Sequence, residues 1–303
     1  MDAKSQNSRD PGGRRGAKGF ALATGDVAIL SAVHEYRLIR REHLSLLTGR
    51  DPKRLHRRLL KLVQNGYLAA TRLPQQKHIY SIGHPGLSVL VADGIIPGGR
   101  PSQRLRVHEL KELFLKHEML IVDHHVLLAL AGKTSRLRLV DWQEGRGLFD
   151  SVKVADSEGG KRLPVRPDAF FTIEDTRRDE GKNHFHFFLE IDRSTMPHTA
   201  FKEKIRAYWQ YREQGLHARK FGIKSFRVLT VTLTGARARN LCDLAATLLP
   251  EGARKQFLFT GATAYSLENP VAIFGDIFLS PRRGKEDRYP LIPEPERSLK
   301  MAA

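Results

Sequence analysis

The chain has 303 residues, with 51 lysines and arginines against 33 aspartates and glutamates, and a formal net charge of +18. This length suits one large domain and one small domain, and the composition excludes a fibrous protein. The positive charge favours a polyanionic partner, and nucleic acid fits best. A membrane is not expected, because no stretch approaches the roughly 20 apolar residues that span a bilayer. The only cysteine, Cys242, fits a buried position in a protein of the reducing cytoplasm.

The N-terminal third begins with a basic segment and continues as a predicted DNA-reading domain. Residues 1–20 are nearly free of apolar side chains, so we expect a disordered basic arm there. A folded domain is expected at 21–92. Its first helix should begin after the cap signal Thr24-Gly25-Asp26, and a second should cover 41–48. Pro52 suits the first turn of a third helix.

The predicted third helix, at 52–65, has one apolar face and is otherwise strongly basic. Two strand-like runs follow at 67–73 and 78–82. Helix, helix, turn, basic helix and hairpin is the order of a winged helix-turn-helix, which reads double-stranded DNA with its third helix. The alternative interpretation is that the basic face of this third helix contacts only solvent. The candidate DNA contacts are Lys53, Arg54, Arg57, Arg58, Lys61 and Lys77.

A second domain is expected at 105–280, after a linker rich in glycine and proline at 93–104. Its first helix, at 107–130, carries His117 and His124 on its apolar stripe, either as core residues or as neighbours of an acidic site. The predicted strands lie at 137–142, 169–174, 185–191 and 226–233, with a helix at 199–214. The expected fold class is α/β, a mixed sheet flanked by helices behind the winged helix. Residues 281–303 are expected to be a flexible tail.

Carboxylates stand at the ends of two neighbouring predicted strands. Asp168 precedes one strand, and Glu190 and Asp192 end the next. Alternation along a strand sends Glu190 and Asp192 to the same face, so we expect the three carboxylates to converge. Such a cluster needs a cation or a proton to neutralise it, and its hard oxygen atoms suit Mg²⁺ or Mn²⁺. The sequence therefore predicts a divalent-metal site.

A metal-dependent nuclease site also needs a positive charge near the phosphate. Asp192 stands where the strand would normally supply a lysine. Lys202 and Lys204, on the following helix, are the candidate replacements. Lys204 shares one stripe of that helix with Tyr208 and Tyr211.

Two other chemistries are open. Tyr208 or Tyr211 could act as a nucleophile, although core packing explains these tyrosines at least as well. His184 and His186 could ligate a metal from one strand face, although an exposed strand face explains their alternation with phenylalanine better.

Several short motifs occur together in a fixed order. They are Trp142-Gln143-Glu144, Arg166-Pro167-Asp168-Ala169, Glu190-Ile191-Asp192-Arg193-Ser194-Thr195, and then Lys204 and Tyr208. Behind a winged helix, this combination resembles the replication-relaxation family of plasmid and mobile-element proteins. The likeness spans roughly residues 24–233.

The resemblance implies a nuclease-like domain of the PD-(D/E)xK type and binding at a plasmid or mobile-element origin. It implies DNA nicking or relaxation for replication or conjugative mobilisation, with other replication or mobilisation proteins as candidate partners. Asp168, Glu190 and Asp192 become the implied metal-binding acids, with Glu144 as a further polar member of the site. The alternative is a DNA-binding accessory protein or transcriptional regulator that keeps this fold without turnover.

Overall fold

The computed structural model describes residues 20–72, 77–97, 111–155, 160–193, 197–282 and 287–295. Over these ranges the chain is mixed α/β, as predicted. The expected arm up to residue 19 and the expected linker from residue 98 lie outside the described residues.

The N-terminal part contains helices and an antiparallel sheet in the predicted order. Its elements are α1 Asp26–Glu35, β1 Ile39–Arg40, α2 Arg41–Thr48, α3 Pro52–Gln64, β2 Leu68–Arg72, β3 His78–Ile82 and α4 His84–Ala92. The strands pair antiparallel in the order β1-β3-β2. The short strand β1 and the helix α4 were not among the predicted elements.

Helix α3 forms where the sequence predicts it. The Asp51 side chain accepts a hydrogen bond from the backbone N–H of Arg54 at 2.8 Å, which caps the helix. Pro52 occupies the first turn, where its missing N–H has no cost. The buried side chains Leu55, Leu59 and Leu62 lie along one face, so the remaining faces are left for the basic residues.

The C-terminal part is built around a five-stranded sheet. Its elements are α5 Glu112–Gly132, β4 Leu137–Glu144, β5 Asp150–Val154, β6 Lys161–Val165, β7 Ala169–Asp175, β8 His184–Asp192, α6 His198–Glu213, α7 Leu216–Phe221, β9 Arg227–Thr232, α8 Gly235–Leu248, α9 Glu251–Arg254 and β10 Phe257–Gly261. The strand order is β10-β9-β8-β7-β4. Strands β4, β7 and β8 are antiparallel, and β8, β9 and β10 are parallel. Strands β5 and β6 form a separate antiparallel pair.

The two faces of this sheet pack against different helices. Phe187, Leu189 and Ile191 join a core with α5, whereas Phe188 joins a core with α6 and α8. The alternation along β8 therefore sends Glu190 to the α6 and α8 face, as the period of two requires. This alternation is the local rule that positions the acidic site.

Helix α5 also completes the core of the N-terminal part. Its residues Leu115, Met119 and Val122 belong to the same buried cluster as the side chains of α1 to α4. Polar contacts reinforce this packing, because Asp123 lies 3.3 Å from the Arg40 guanidinium and 3.0 Å from Nε2 of His43. The helix-and-hairpin region is therefore held firmly against α5.

The segment from residue 281 was expected to be a flexible tail. In its described part, Tyr289 instead exchanges two backbone hydrogen bonds with Phe278, and Leu291 and Ile292 are buried against the sheet. Burial of these apolar side chains offsets the entropy of ordering this part of the tail.

Cys242 is buried, as predicted. No helix in the described part of the chain is long and apolar enough to cross a bilayer.

Candidate functional site

One edge of the sheet collects acidic side chains from three strands. The end of β4, the start of β7 and the end of β8 meet there, since Glu144 pairs with Ala169 and Ala169 pairs with Leu189. Asp168 directly precedes β7, so it lies at the same edge. Antiparallel pairing thus brings acids that are far apart in the chain next to one another.

Asp168 is held by partners on both of its oxygens. Oδ1 lies 3.0 Å from Nε2 of His117, and Oδ2 accepts a 2.7 Å hydrogen bond from the backbone N–H of Ile191. The side chain is still 21% exposed to solvent. Burial lowers the pKa of His117, but its contact with Asp168 more than offsets this, so the net shift is upward. Asp168 is therefore oriented and reachable from solvent.

Glu190 is the most buried acid of this edge, at 3% exposure. One carboxylate oxygen contacts Nζ of Lys204, and the other accepts a 2.5 Å hydrogen bond from the hydroxyl of Tyr208. Burial raises the pKa of Glu190 to about 7, although Lys204 opposes the shift. Burial lowers the pKa of Lys204, but the negative charges of Glu190 and Asp168 more than offset it, so the lysine stays protonated.

Asp192 is buried on the same sheet face, but its carboxylate accepts a 2.6 Å hydrogen bond from Nε of Arg237, in the first turn of α8. Among the residues that the structure describes, no three His, Cys, Asp or Glu side chains are arranged as a metal site. The predicted convergence of Asp168, Glu190 and Asp192 on one point is therefore not found. A tertiary contact from a later helix neutralises Asp192, and sequence reasoning missed Arg237.

The two candidate lysines of α6 have different environments. Lys204 reaches Glu190, whereas Lys202 is exposed on the outer face of α6. Both candidate tyrosines are buried, and the Tyr211 hydroxyl donates to Asp150 at 2.9 Å. Burial and acidic neighbours raise the pKa of both hydroxyl groups. Because an activated nucleophile needs a lowered pKa or an adjacent base, neither tyrosine is suited to that role.

Glu144 joins this edge to the N-terminal part of the chain. Its carboxylate accepts a 2.7 Å hydrogen bond from the Trp142 indole and a 2.8 Å hydrogen bond from the Arg37 guanidinium. Arg37 has a positive φ of 61°, a strained backbone conformation for a side chain other than glycine. Glu118, on α5, lies within the same electrostatic neighbourhood, and burial raises its pKa. Sequence reasoning missed Arg37.

The two histidines of the α5 stripe have different environments. His117 contacts Asp168, whereas His124 is buried beside Tyr265, with 3.2 Å between Nδ1 and the hydroxyl. Burial lowers the pKa of His124 to about 3, so it is neutral. The core interpretation holds for His124, and the neighbouring-site interpretation holds for His117.

Most of the predicted DNA contacts are exposed. Lys53, Arg54, Arg57, Lys61 and Lys77 all reach solvent. Arg58 differs, because its guanidinium pairs with the fully buried Asp26 and donates to the backbone carbonyl of Ala21 at 3.0 Å. The charge of Arg58 is therefore engaged in an ion pair that holds helix α1 against helix α3, and its role as a DNA contact stays a prediction.

Together, the fold and the site define a mixed α/β protein with a basic helix-and-hairpin region and an acid-lysine group at one sheet edge. The sequence model of the replication-relaxation family matches residues 30–225, which is more than half of the chain. The chain therefore belongs to the replication-relaxation family. Membership indicates a role in the replication or mobilisation of a plasmid or mobile element. No curated protein and no solved structure is significantly similar to it.

Proposed function

We propose that the chain is a metal-dependent nickase that acts on double-stranded DNA at a plasmid or mobile-element origin. The observation that carries this proposal is the meeting of Asp168, Glu190 and Lys204 at one sheet edge. Glu190 is buried against Lys204, and Asp168 is close enough to influence the pKa of both. Two acids and a lysine supply the charges that phosphodiester cleavage requires.

The residues at this edge fit a hard divalent cation. Asp168 and Glu190 provide carboxylate oxygens, and the Asp168 side chain is 21% exposed to solvent. Mg²⁺ commonly binds through one or two carboxylates together with water and substrate phosphates, so a third acid is not required. A cation there would neutralise charge on the phosphate and activate water.

The protein's own residues have separable roles in this proposal. His117 and the N–H of Ile191 orient Asp168, while Tyr208 orients Glu190. Lys204 provides positive charge beside the phosphate, as Asp192 cannot. The basic side chains of α3 and the β2–β3 hairpin would place the DNA, with α3 in the major groove as in a winged helix-turn-helix.

Removing the Lys204 charge tests the catalytic proposal. We expect Lys204→Met to reduce metal-dependent nicking of a supercoiled plasmid carrying the origin by about 100-fold, because charge stabilisation at the phosphate is lost. Lys202→Met, two positions away and exposed, should stay within about twofold. Each reaction is compared with Mg²⁺ or Mn²⁺ and with EDTA. Equal losses in the two variants would contradict the assignment of Lys204, and melting curves exclude unfolding.

The basic face of α3 provides a test of DNA binding that does not require nicking. The double variant Arg54→Ala/Arg57→Ala should lower affinity for origin DNA by about tenfold, and the slope of log affinity against log salt should fall by about 2 in magnitude. Fluorescence anisotropy over a range of salt concentrations measures both. Arg138→Ala, at an exposed position of β4, is the control. An unchanged slope in the double variant would remove α3 from the DNA interface.

A non-catalytic DNA-binding role is the second candidate. The observation that favours it is Asp192, which occupies the usual lysine position of the strand and is paired with Arg237. In that case the chain would bind origin DNA tightly without producing open circles under any metal condition. The plasmid assay therefore separates the two candidates directly.

A further inference from the structure

A cleft lies at the opposite end of the sheet from the acidic edge. It has a volume of about 580 Å³ and is lined where β8, β9 and β10 begin. The nine residues of β8 place roughly 25 to 30 Å between its two ends. The cleft is therefore separate from the site described above.

The walls of this cleft are strongly basic. The lining contains no aspartate or glutamate among the residues described, and its cationic side chains are Lys182, Arg212, Lys224, Arg227 and Lys255. Three of them, Lys182, Lys224 and Lys255, are exposed. A concave surface lined by one sign of charge concentrates ligands of the opposite sign. The shape and charge together fit an anion.

Gln256 is a polar group without a partner in the wall of the cleft. Its side chain is 1% exposed, and neither Nε2 nor Oε1 has a hydrogen-bond partner within the described ranges. A buried amide without partners destabilises a fold, and native structures contain few of them. A ligand in the cleft could provide the missing partner.

Arg227, in the lining of the cleft, carries a positive charge close to two other arginines. Burial, together with the nearby guanidinium groups of Arg282 and Arg178, lowers its pKa to about 10. It remains charged at neutral pH and donates one 2.8 Å hydrogen bond, to the backbone carbonyl of Leu291. A bound anion would stabilise this group of arginines.

We propose that this cleft binds the phosphate groups of a nucleotide, presented either by a free nucleoside triphosphate or by the phosphorylated end of a DNA strand. Lysine and arginine donors match phosphate oxygens, and the half-buried rings of Phe185 and His186 in the lining offer surfaces for a base. The volume falls within the range of about 300 to 1,000 Å³ of small-molecule sites. The proposal does not depend on nicking at the acidic edge.

Binding measurements with two probes test this site. The probes are dATP and a short oligothymidylate with and without a 5′-phosphate, titrated into the full chain in a calorimeter. We expect the double variant Lys224→Gln/Lys255→Gln to bind about tenfold or more weakly to whichever of the two probes the wild type binds. The control, Lys116→Gln/Arg239→Gln, removes the same charge outside the cleft and should change affinity by less than about twofold. Binding of dATP identifies a free nucleotide, and binding that requires the 5′-phosphate identifies a strand end.

Gln256→Leu separates ligand binding from folding. Because the leucine removes a buried amide without partners, the free energy of unfolding without ligand should be unchanged or higher, whereas affinity for the probe should fall by about fivefold or more. A purely structural glutamine would give the reverse result, lower stability and unchanged affinity. The proposal is overturned if wild type binds neither probe, or if the cleft variant binds as tightly as the control.

Discussion

Glu190→Gln should reduce metal-dependent nicking of origin plasmid by about 100-fold or more, because an amide cannot provide the anionic oxygen that holds a hard cation. The glutamine retains the shape of the side chain, and its amide oxygen can still accept the hydrogen bond from Tyr208. Initial rates of open-circle formation measure the effect. Binding of origin DNA should be little changed, because Glu190 and its partners Lys204 and Tyr208 are not among the proposed DNA contacts.

The control for this change is Glu203→Gln, on the same helix as Lys204. Glu203 is exposed and pairs with Lys161 at the surface, so the same chemical change there should leave nicking within about twofold. Nicking that persists in Glu190→Gln while EDTA abolishes it in wild type would place the metal elsewhere. Complete absence of nicking in wild type would favour the non-catalytic DNA-binding role.

The second large effect concerns stability and not chemistry. Arg58→Ala should lower the free energy of unfolding by about 3 kcal/mol, since it leaves the fully buried carboxylate of Asp26 without its cationic partner. The change also removes the contact of the guanidinium with the Phe20 ring, whose centroid lies 4.7 Å away. Urea unfolding measures the loss.

Arg57→Ala is the matched control, because Arg57 is adjacent on α3 and exposed. Its effect on stability should be within about 0.5 kcal/mol. Adding Asp26→Asn to Arg58→Ala should recover part of the loss, because the buried charge is then removed. If Arg57→Ala and Arg58→Ala destabilised the chain equally, the buried ion pair would not be the cause.

Local patterns were sufficient for much of the fold. The apolar spacing, the cap at Asp51 and the proline at position 52 predicted α3 to within one residue of its end, because helix termini depend on nearby residues. The alternation along β8 correctly assigned Glu190 to one face. The short strand β1 was missed, because a strand of two residues has too little pattern to detect.

The individual side chains of the site were harder to predict. Lys202 and Lys204 look equivalent in the sequence, but only Lys204 reaches Glu190, because the rotation of α6 on the sheet decides which side chain points inward. Arg58 on α3 is a similar case. It looks equivalent to Arg54 and Arg57 in the sequence, but in the fold it pairs with the buried Asp26. Such choices depend on packing between elements that are distant in sequence.

By itself, the sequence determined the order of helices and strands, the acids at the strand ends, the net positive charge and the resemblance to the replication-relaxation family. These follow from residue type and short-range periodicity, which act along the chain. Only the tertiary structure decided that Arg237 neutralises Asp192, that Arg37 holds Glu144, and that a basic cleft forms beside Gln256. Each of these depends on strand register and helix packing, which bring together residues that no local pattern relates.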